Sequence, residues 1–478
     1  MAVKRLNGMD AYLLYSETPN LHSHTLKVAV IDAAGLDFGF EEFRAHFRRR
    51  LHLLEPLRYR LVEIPWRLHH PMWLEGCDVD LDYHLRRVDV PAPGGRRELD
   101  EVISRVASTP LDRTRPLWEF HFAEGLAGGR FAMIGKVHHA LADGVASVNL
   151  LSRAMDITGA GQNERDVDDS GVAPGSAALL AEAGRDHVRQ IGELPGLVKD
   201  AATGFTRVRK RAKERGDHPD LAENFSAPPT FLNHVVSPVR QFGSATLSLA
   251  DVKQTAKHLG VSVNDVVLAT AAGALRELLL RYDGRADEPI IASVPTATNR
   301  SPDRITGNEI SGLSISLPVH VAEPLERVRL VALATGIAKD DHEILGPELY
   351  SRMMTYLPTA FAPAAFRWLS TRDSQNKMMN VAVSNVPGPR ERGHFAGAPV
   401  SEIYSTGVLS AGAPVNITVW SYVDQMGVAV LTDDQTFWDV HEATGAFTEA
   451  FAEIHRAAGI SDELHAVGSA LPPVSTDG

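Results

Sequence analysis

Two hydrophobic periodicities alternate along the first 155 residues. In FGFEEFRAHFRRRLHLL (38–54), Phe40, Phe43, Phe47 and Leu51 recur near helical spacing with basic residues between them, which predicts an amphipathic helix. RELDEVISRVAS repeats that pattern. PLWEFHFAEGL turns extended after Pro116, FAMIGKVHH has the apolar density of a buried strand, and ASVNLLSRAMDIT returns to helical spacing. From about 158 to 175 the chain reads TGAGQNERDVDDSGVAPG, polar, acidic and Gly-rich, which predicts a loop or linker. A helical stretch follows and ends in the basic run RVRKRAKER (207–215), and then DHPDLAENFSAPPTFLNHVVSPVRQ crosses over, punctuated by prolines.

The alternation resumes near 243. SLADVKQTAKHLG is a helix opened by Ser248 and Asp251 in capping-box spacing and stopped by Gly260. SVNDVVLATAAGALRELLLRYDG is a longer helix. PIIASVPTAT, ISGLSISLPV and MNVAVSNVPG read as strands, NITVWSYVDQMGVAVLTDD as strand-turn-strand, and FWDVHEATGAFTEAFAEIHRAAG as the closing helix. The pattern predicts an α/β protein of two mixed halves, 1–175 and 243–478, joined by a connection over 176–242.

Composition narrows the partners. The 478 residues are 44% hydrophobic and 23% charged, ordinary for a globular chain, and the net charge of −12 argues against nucleic acid. A single cysteine, Cys77, can form neither an internal disulfide nor a paired-cysteine metal site, which fits a reducing cytoplasm. The N-terminus lacks the pattern of a signal peptide, and the most apolar helical run, VVLATAAGALRELLL, is too short to span a bilayer and carries Arg276 and Glu277. Peripheral contact stays open. Placed on a helix, Phe205, Val208 and Ala212 form a stripe flanked by Arg207, Arg209, Lys210, Arg211, Lys213 and Arg215, a pattern suited to an anionic membrane or lipid-droplet surface or to a solvated face.

The chemistry concentrates in VHHALADGVAS (137–147). G-x-S-x-G, HExxH and G-x-G-x-x-G are all absent, and GRFAMIGKV misses the phosphate-loop spacing. If FAMIGKVHH is a strand, His138 and His139 point to opposite faces and cannot share a metal. One imidazole then faces a cavity while the other packs inward. Asp143 arrives after a turn that Gly144 eases. That arrangement suits one working imidazole and one structural carboxylate, and a metal-dependent hydrolase fails for want of further ligands. A second pair, His69-His70, lacks the Asp-Gly sequel.

HHALADG matches the HHxxxDG signature of the CoA-dependent acyltransferases with a chloramphenicol-acetyltransferase-like fold. LNGMDAYLLYSETPN, RPLWEFHFAEGL, VNDVVLA and VAVSNVPGP follow in the order of one branch, so the chain resembles the bacterial wax ester synthase/diacylglycerol acyltransferase family over about residues 5 to 460. The resemblance implies two mixed-sheet domains with a channel between them. It implies acyl-CoA as donor, a diacylglycerol or long-chain alcohol as acceptor, no metal or other cofactor, and direct transfer without an acyl-enzyme. His139 is the expected general base and His138 a supporting group. Asp143 is expected to hold the loop by pairing with an arginine of the second half, Arg300 first and Arg304 as competitor. Asn264 and Asp265 match the family's ND pair, with helix capping as their expected main role. Trp118 of PLW and Asn385 before Pro387-Gly388-Pro389 are candidate channel-lining residues. Two other readings of the same fold are a donor carried on a carrier protein and a lipid-binding or regulatory protein with little turnover.

Overall fold

The computed structural model describes residues 3–155, 173–373, 376–461, 463–468 and 470–474. Most of the 158–175 linker lies outside them. The first half runs β1 (Val3–Arg5), α1 (Gly8–Ser16), β2 (His24–Asp32), α2 (Phe40–Arg50), β3 (Arg60–Val62), β4 (Met72–Leu74), α3 (Leu81–His84), β5 (Leu85–Asp89), α4 (Arg96–Ala107), β6 (Trp118–Leu126), β7 (Arg130–His138) and α5 (Gly144–Ala154). Helix α6 (Ser176–Arg215) connects it to the rest. The second half comprises β8 (Arg240–Ser248), α7 (Leu249–Leu259), α8 (Val263–Tyr282), β9 (Ile290–Ala297), β10 (Ile310–Leu317), α9 (Pro324–Leu345), α10 (Leu349–Met354), α11 (Ala362–Ser370), β11 (Val381–Pro387), β12 (His394–Phe395), β13 (Ala398–Ser405), β14 (Asn416–Tyr422), β15 (Gln425–Asp433) and α12 (His441–Ala457).

Local signals explain many of the boundaries. The Ser248 side chain accepts from the Asp251 N–H to open α7, and Gly260 closes it at φ +68°, a conformation glycine adopts without strain. Helix α2 turns Phe43 and Phe47 fully into the first core, where truncating either to alanine costs about 3–5 kcal/mol. Strand β7 is buried at eight of nine positions, Lys136 and His138 included, so both of its faces are covered and its burial shows no alternation.

Two six-stranded sheets result, in the orders β12-β13-β2-β7-β6-β5 and β10-β9-β11-β14-β15-β8. The first contains strands from the far end of the chain. β13 lies antiparallel on β2, pairing Val400 with Ile31 and Ser405 with Lys27. Residues 394–405 therefore complete the sheet of the opposite half, and the boundary drawn at 243 falls inside β8. Helix α4 sits in the seam, its Val102, Ile103 and Val106 in one cluster with Val28 of β2, Phe242 of β8 and Leu431 of β15. Among the described residues no single helix is long and apolar enough to cross a membrane.

Candidate active site

The histidine pair lies where β7 ends against the second half. His138 is the last residue of β7, and His139 opens a short 3-10 turn that ends at Leu141. The two side chains reach different partners, but His139 lies beyond the end of β7, so the turn and not strand alternation sets its direction. His138 is fully buried, accepts from the Ala140 N–H at 3.1 Å on Nδ1, and brings Nε2 within 3.7 Å of Glu17. Arg113 clamps the same carboxylate at 2.6 Å. Burial pushes Glu17 up, but His138 and Arg113 outweigh it and hold its carboxyl below the usual range. His138 is thus buried and tied to the residue that ends α1.

His139 is only partly covered. Its backbone N–H donates to the Ser23 carbonyl at 2.8 Å, and its Nδ1 lies 2.9 Å from Oδ1 of Asn308. Burial holds the imidazole below its ordinary value, and nearby Lys27 adds to that effect while Asp143 and Asn308 oppose it. A neutral imidazole near pH 7 is the state a general base needs. Lys27 comes from β2, donates to Thr25 Oγ1 at 3.3 Å and lies 5.7 Å from the Trp420 ring centroid. Burial drops its ammonium to about 7 against the pull of Asp143.

Asp143 is the N-cap of α5. Its Oδ1 accepts from the Ala146 N–H at 3.0 Å and from Arg304 at 2.9 Å, and its Oδ2 accepts from the Glu309 N–H at 2.9 Å. The arginine partner is therefore Arg304. Arg300, the first candidate, is exposed, because the turn through 301–303 carries it outward while Arg304 folds back to donate to the Gly307 carbonyl at 2.9 Å. The segment 304–309 is stitched along the histidine loop: Gly307 N–H donates to Leu141 at 2.8 Å, and Asp143 N–H donates to Gly307 at 3.3 Å. Gly144 is not at positive φ, so conformational freedom does not explain it. A Cβ there would meet Val386 of β11 at 3.4 Å, an ordinary van der Waals contact, so packing does not demand a glycine here either.

The remaining candidates separate from this centre. Ser262 caps α8 and Asp265 bonds back to it at 2.6 Å in a reciprocal box, so Asp265 takes the capping role and Asn264 is the second helical residue rather than the cap. Trp118 is fully buried, donates to the Leu57 carbonyl at 2.7 Å and stacks on His84 at 4.3 Å, which makes it a core residue and not a channel wall. Asn385 is partly exposed on β11, in register with Val419, one residue before the Val386 that faces Gly144. Among the described residues no group of three or more His, Cys, Asp or Glu is placed to hold a metal ion. Lys27, Asp10 and Asn308 escaped the sequence reading because their partners at the site lie far away in the chain, and only the Asn7–Asp10 cap spacing of α1 was legible locally.

The wax ester synthase/diacylglycerol acyltransferase catalytic domain model matches residues 6–267, and the C-terminal domain model of the same family matches 306–455. A putative diacylglycerol O-acyltransferase of Mycobacterium tuberculosis is 53% identical over 471 residues, covering 98% of this chain and 99% of that one. The O-acyltransferase WSD of Acinetobacter baylyi is 32% identical over 375 residues, covering 76% of this chain and 79% of its own. Among solved structures, the wax ester synthase/diacylglycerol acyltransferase of Marinobacter aquaeolei VT8 superposes with a TM-score of 0.68 at 26% identity, covering 95% of this chain and 100% of that one. The first condensation domain of the calcium-dependent antibiotic synthetase shares the fold at a TM-score of 0.58 and 15% identity, over 99% of this chain and 100% of the domain. With both domain models matched in order and the histidine loop clamped across the two halves, the chain belongs to the wax ester synthase/diacylglycerol acyltransferase family.

Proposed function

We propose that this protein is an acyl-CoA-dependent O-acyltransferase that esterifies diacylglycerol, a long-chain alcohol, or both. The observation that carries this reading is His139: a partly accessible imidazole held neutral by burial, on a loop that Asp143 and Arg304 fix at the seam. As the acceptor oxygen bonds to the thioester carbonyl carbon, His139 takes the hydroxyl proton. As the C–S bond breaks, the imidazolium returns that proton to the CoA thiolate. No acyl-enzyme and no bound cofactor enter this sequence. Positioned proton transfer of this kind contributes about 10²- to 10⁴-fold.

Peripheral contact with a lipid surface belongs to the same reading, because both acceptors partition out of water. Support for it comes from an apolar surface away from the basic run. Trp66 is 80% exposed, Val188 73%, Ile191 70% and Phe361 74%, with Leu68 and Trp368 also open. His187 bonds the Leu68 carbonyl at 2.7 Å, Tyr356 donates to the Gln190 carbonyl at 2.9 Å and Thr359 donates to the Arg67 carbonyl, so the segments that carry Trp66, Val188, Ile191 and Phe361 run side by side. Trp66 and Arg67 both hold left-handed φ, 56° and 53°, a strained backbone that presents an indole to solvent. Within the basic run, Arg211 and Arg215 pair with Asp340 and Asp341 of α9 at 2.8 and 3.3 Å, and Phe205 is exposed while Gly204 packs on Leu345. Two of its arginines are thus engaged by α9, while Phe205 and the other basic residues of the run stay open to solvent, and the lipid contact in this reading is assigned to the Trp66 surface.

The deciding assay supplies palmitoyl-CoA with diolein or a long-chain alcohol, dispersed in vesicles, and follows CoA release and neutral lipid together. Ester formed by the wild type and none by His139→Ala of unchanged melting temperature is the expected result. Folded wild-type protein that makes ester from neither acceptor overturns the proposal. Retained activity after chelation is expected, and its loss would overturn the cofactor-free mechanism.

A further inference from the structure

One amide grips His139 at two points. Asn308 is fully buried. Its Nδ2 donates to the His139 backbone carbonyl at 2.8 Å and to Asp10 Oδ1 at 2.8 Å, while its Oδ1 lies 2.9 Å from the ring Nδ1. Its backbone N–H also donates to Asp10 Oδ1, at 2.9 Å, and its carbonyl accepts from Asn7 Nδ2 at 2.9 Å. The orientation of this amide has one solution. Turned over, its oxygen would face a carbonyl and a carboxylate oxygen, neither of which carries a hydrogen to share. Protonating Asp10 does not change this, because the flipped oxygen would still face the His139 backbone carbonyl, which has no hydrogen to give.

The consequence reaches the reacting atom. Oδ1 of Asn308 can only accept, so the ring nitrogen facing it must carry the proton. We propose that Asn308, anchored by Asp10 of α1, is a positioning residue that fixes His139 as the Nδ1–H tautomer and so makes Nε2 the basic atom. When Nε2 takes the acceptor's hydroxyl proton, the Nδ1–H bond to Asn308 stays intact, and the proton leaves again from Nε2 to the CoA sulfur. The partner is a neutral amide, so it orients the ring without the added basicity that a carboxylate would give. Asp10 and Asn7 thereby bring the N-terminal helix into the organisation of a site whose base sits more than a hundred residues later.

Two measurements test this. The first needs no substrate: nitrogen NMR of histidine-labelled protein at pH 8, with the His139 signal assigned by its loss in His139→Gln. A protonated Nδ1 and bare Nε2 are expected; a predominant Nε2–H form overturns the proposal, and this holds even if Asn308 variants fail to fold. The second is steady-state kinetics of Asn308→Ala with its fold checked by melting. A fall in kcat of about 10²-fold with KM little changed, together with loss of the tautomer preference, is expected. Unchanged kcat in folded Asn308→Ala overturns it. The inference rests on the acyl-transfer reading only for the kinetic arm, so a correct tautomer in a protein without transferase activity would count against that reading alone.

Discussion

A base that must be neutral to work gives activity an acid limb. Burial and the Lys27 charge both hold His139 below its ordinary value, so kcat/KM should climb with pH below the free-imidazole value of 6.5 and be level by neutrality. Replacing Lys27 with methionine removes one of the two depressing influences. The acid limb of Lys27→Met should therefore move toward higher pH, read from a rate profile between pH 4.5 and 8 (a range set by about two units either side of the imidazole value). A limb that moves to lower pH would mean that Lys27 does not act on His139 as a charge. Arg304 offers a second contrast at this scale. Arg304→Ala leaves Asp143 buried without its cation, at a cost of about 3–5 kcal/mol in urea unfolding and with loss of ester formation. Arg300→Ala, at an exposed position, should stay within about 0.5 kcal/mol of the parent.

At the scale of elements, the NVPGP turn shows what a motif can hide. A Cβ on Gly388 would lie 2.3 Å from the Ser421 carbonyl oxygen and 2.3 Å from Trp420 Nε1, so β11 can close against β14 only with glycine there. Gly388→Ala should lose about 1–3 kcal/mol of stability, measured by denaturant unfolding, and loosen the strand that faces Gly144. The elements that were legible in advance share a local signature. Helix α7 announced itself through Ser248, Asp251 and Gly260, and α12 and the β14–β15 hairpin through their periodicity. What stayed hidden was decided by partners distant in sequence. Nothing near Asn308 marks it as the acceptor for His139, and nothing in APVSEIYS reveals that β13 leaves its own half to pair with β2. The choice between Arg300 and Arg304 failed for the same reason: which of two nearby arginines folds inward depends on the turn between them and on a carboxylate 161 residues away.

The whole molecule is held together at the seam as much as within its halves. Arg96 of α4 pairs with Glu402 of β13 at 3.1 Å and donates to the Leu471 carbonyl at 2.6 Å, while Asp100 accepts from Ser244 of β8 at 2.8 Å and meets His441 of α12 at 3.1 Å. A fragment of residues 1–393 would keep only the Asp100–Ser244 bond of this lacing and would lose the strand that covers β2. Expressed alone, it should be recovered in the insoluble fraction, and a soluble monomer with a cooperative melt would contradict that. The exchanged strand also sets a timetable during synthesis. The Leu26 N–H waits for Thr406 Oγ1, 380 residues further along, and at ribosomal rates that interval is roughly 20–80 s. Through that time the nascent chain carries an uncovered strand edge, so a slow-moving ribosome or a missing chaperone would reduce the yield of this protein before any property of the finished enzyme came into play.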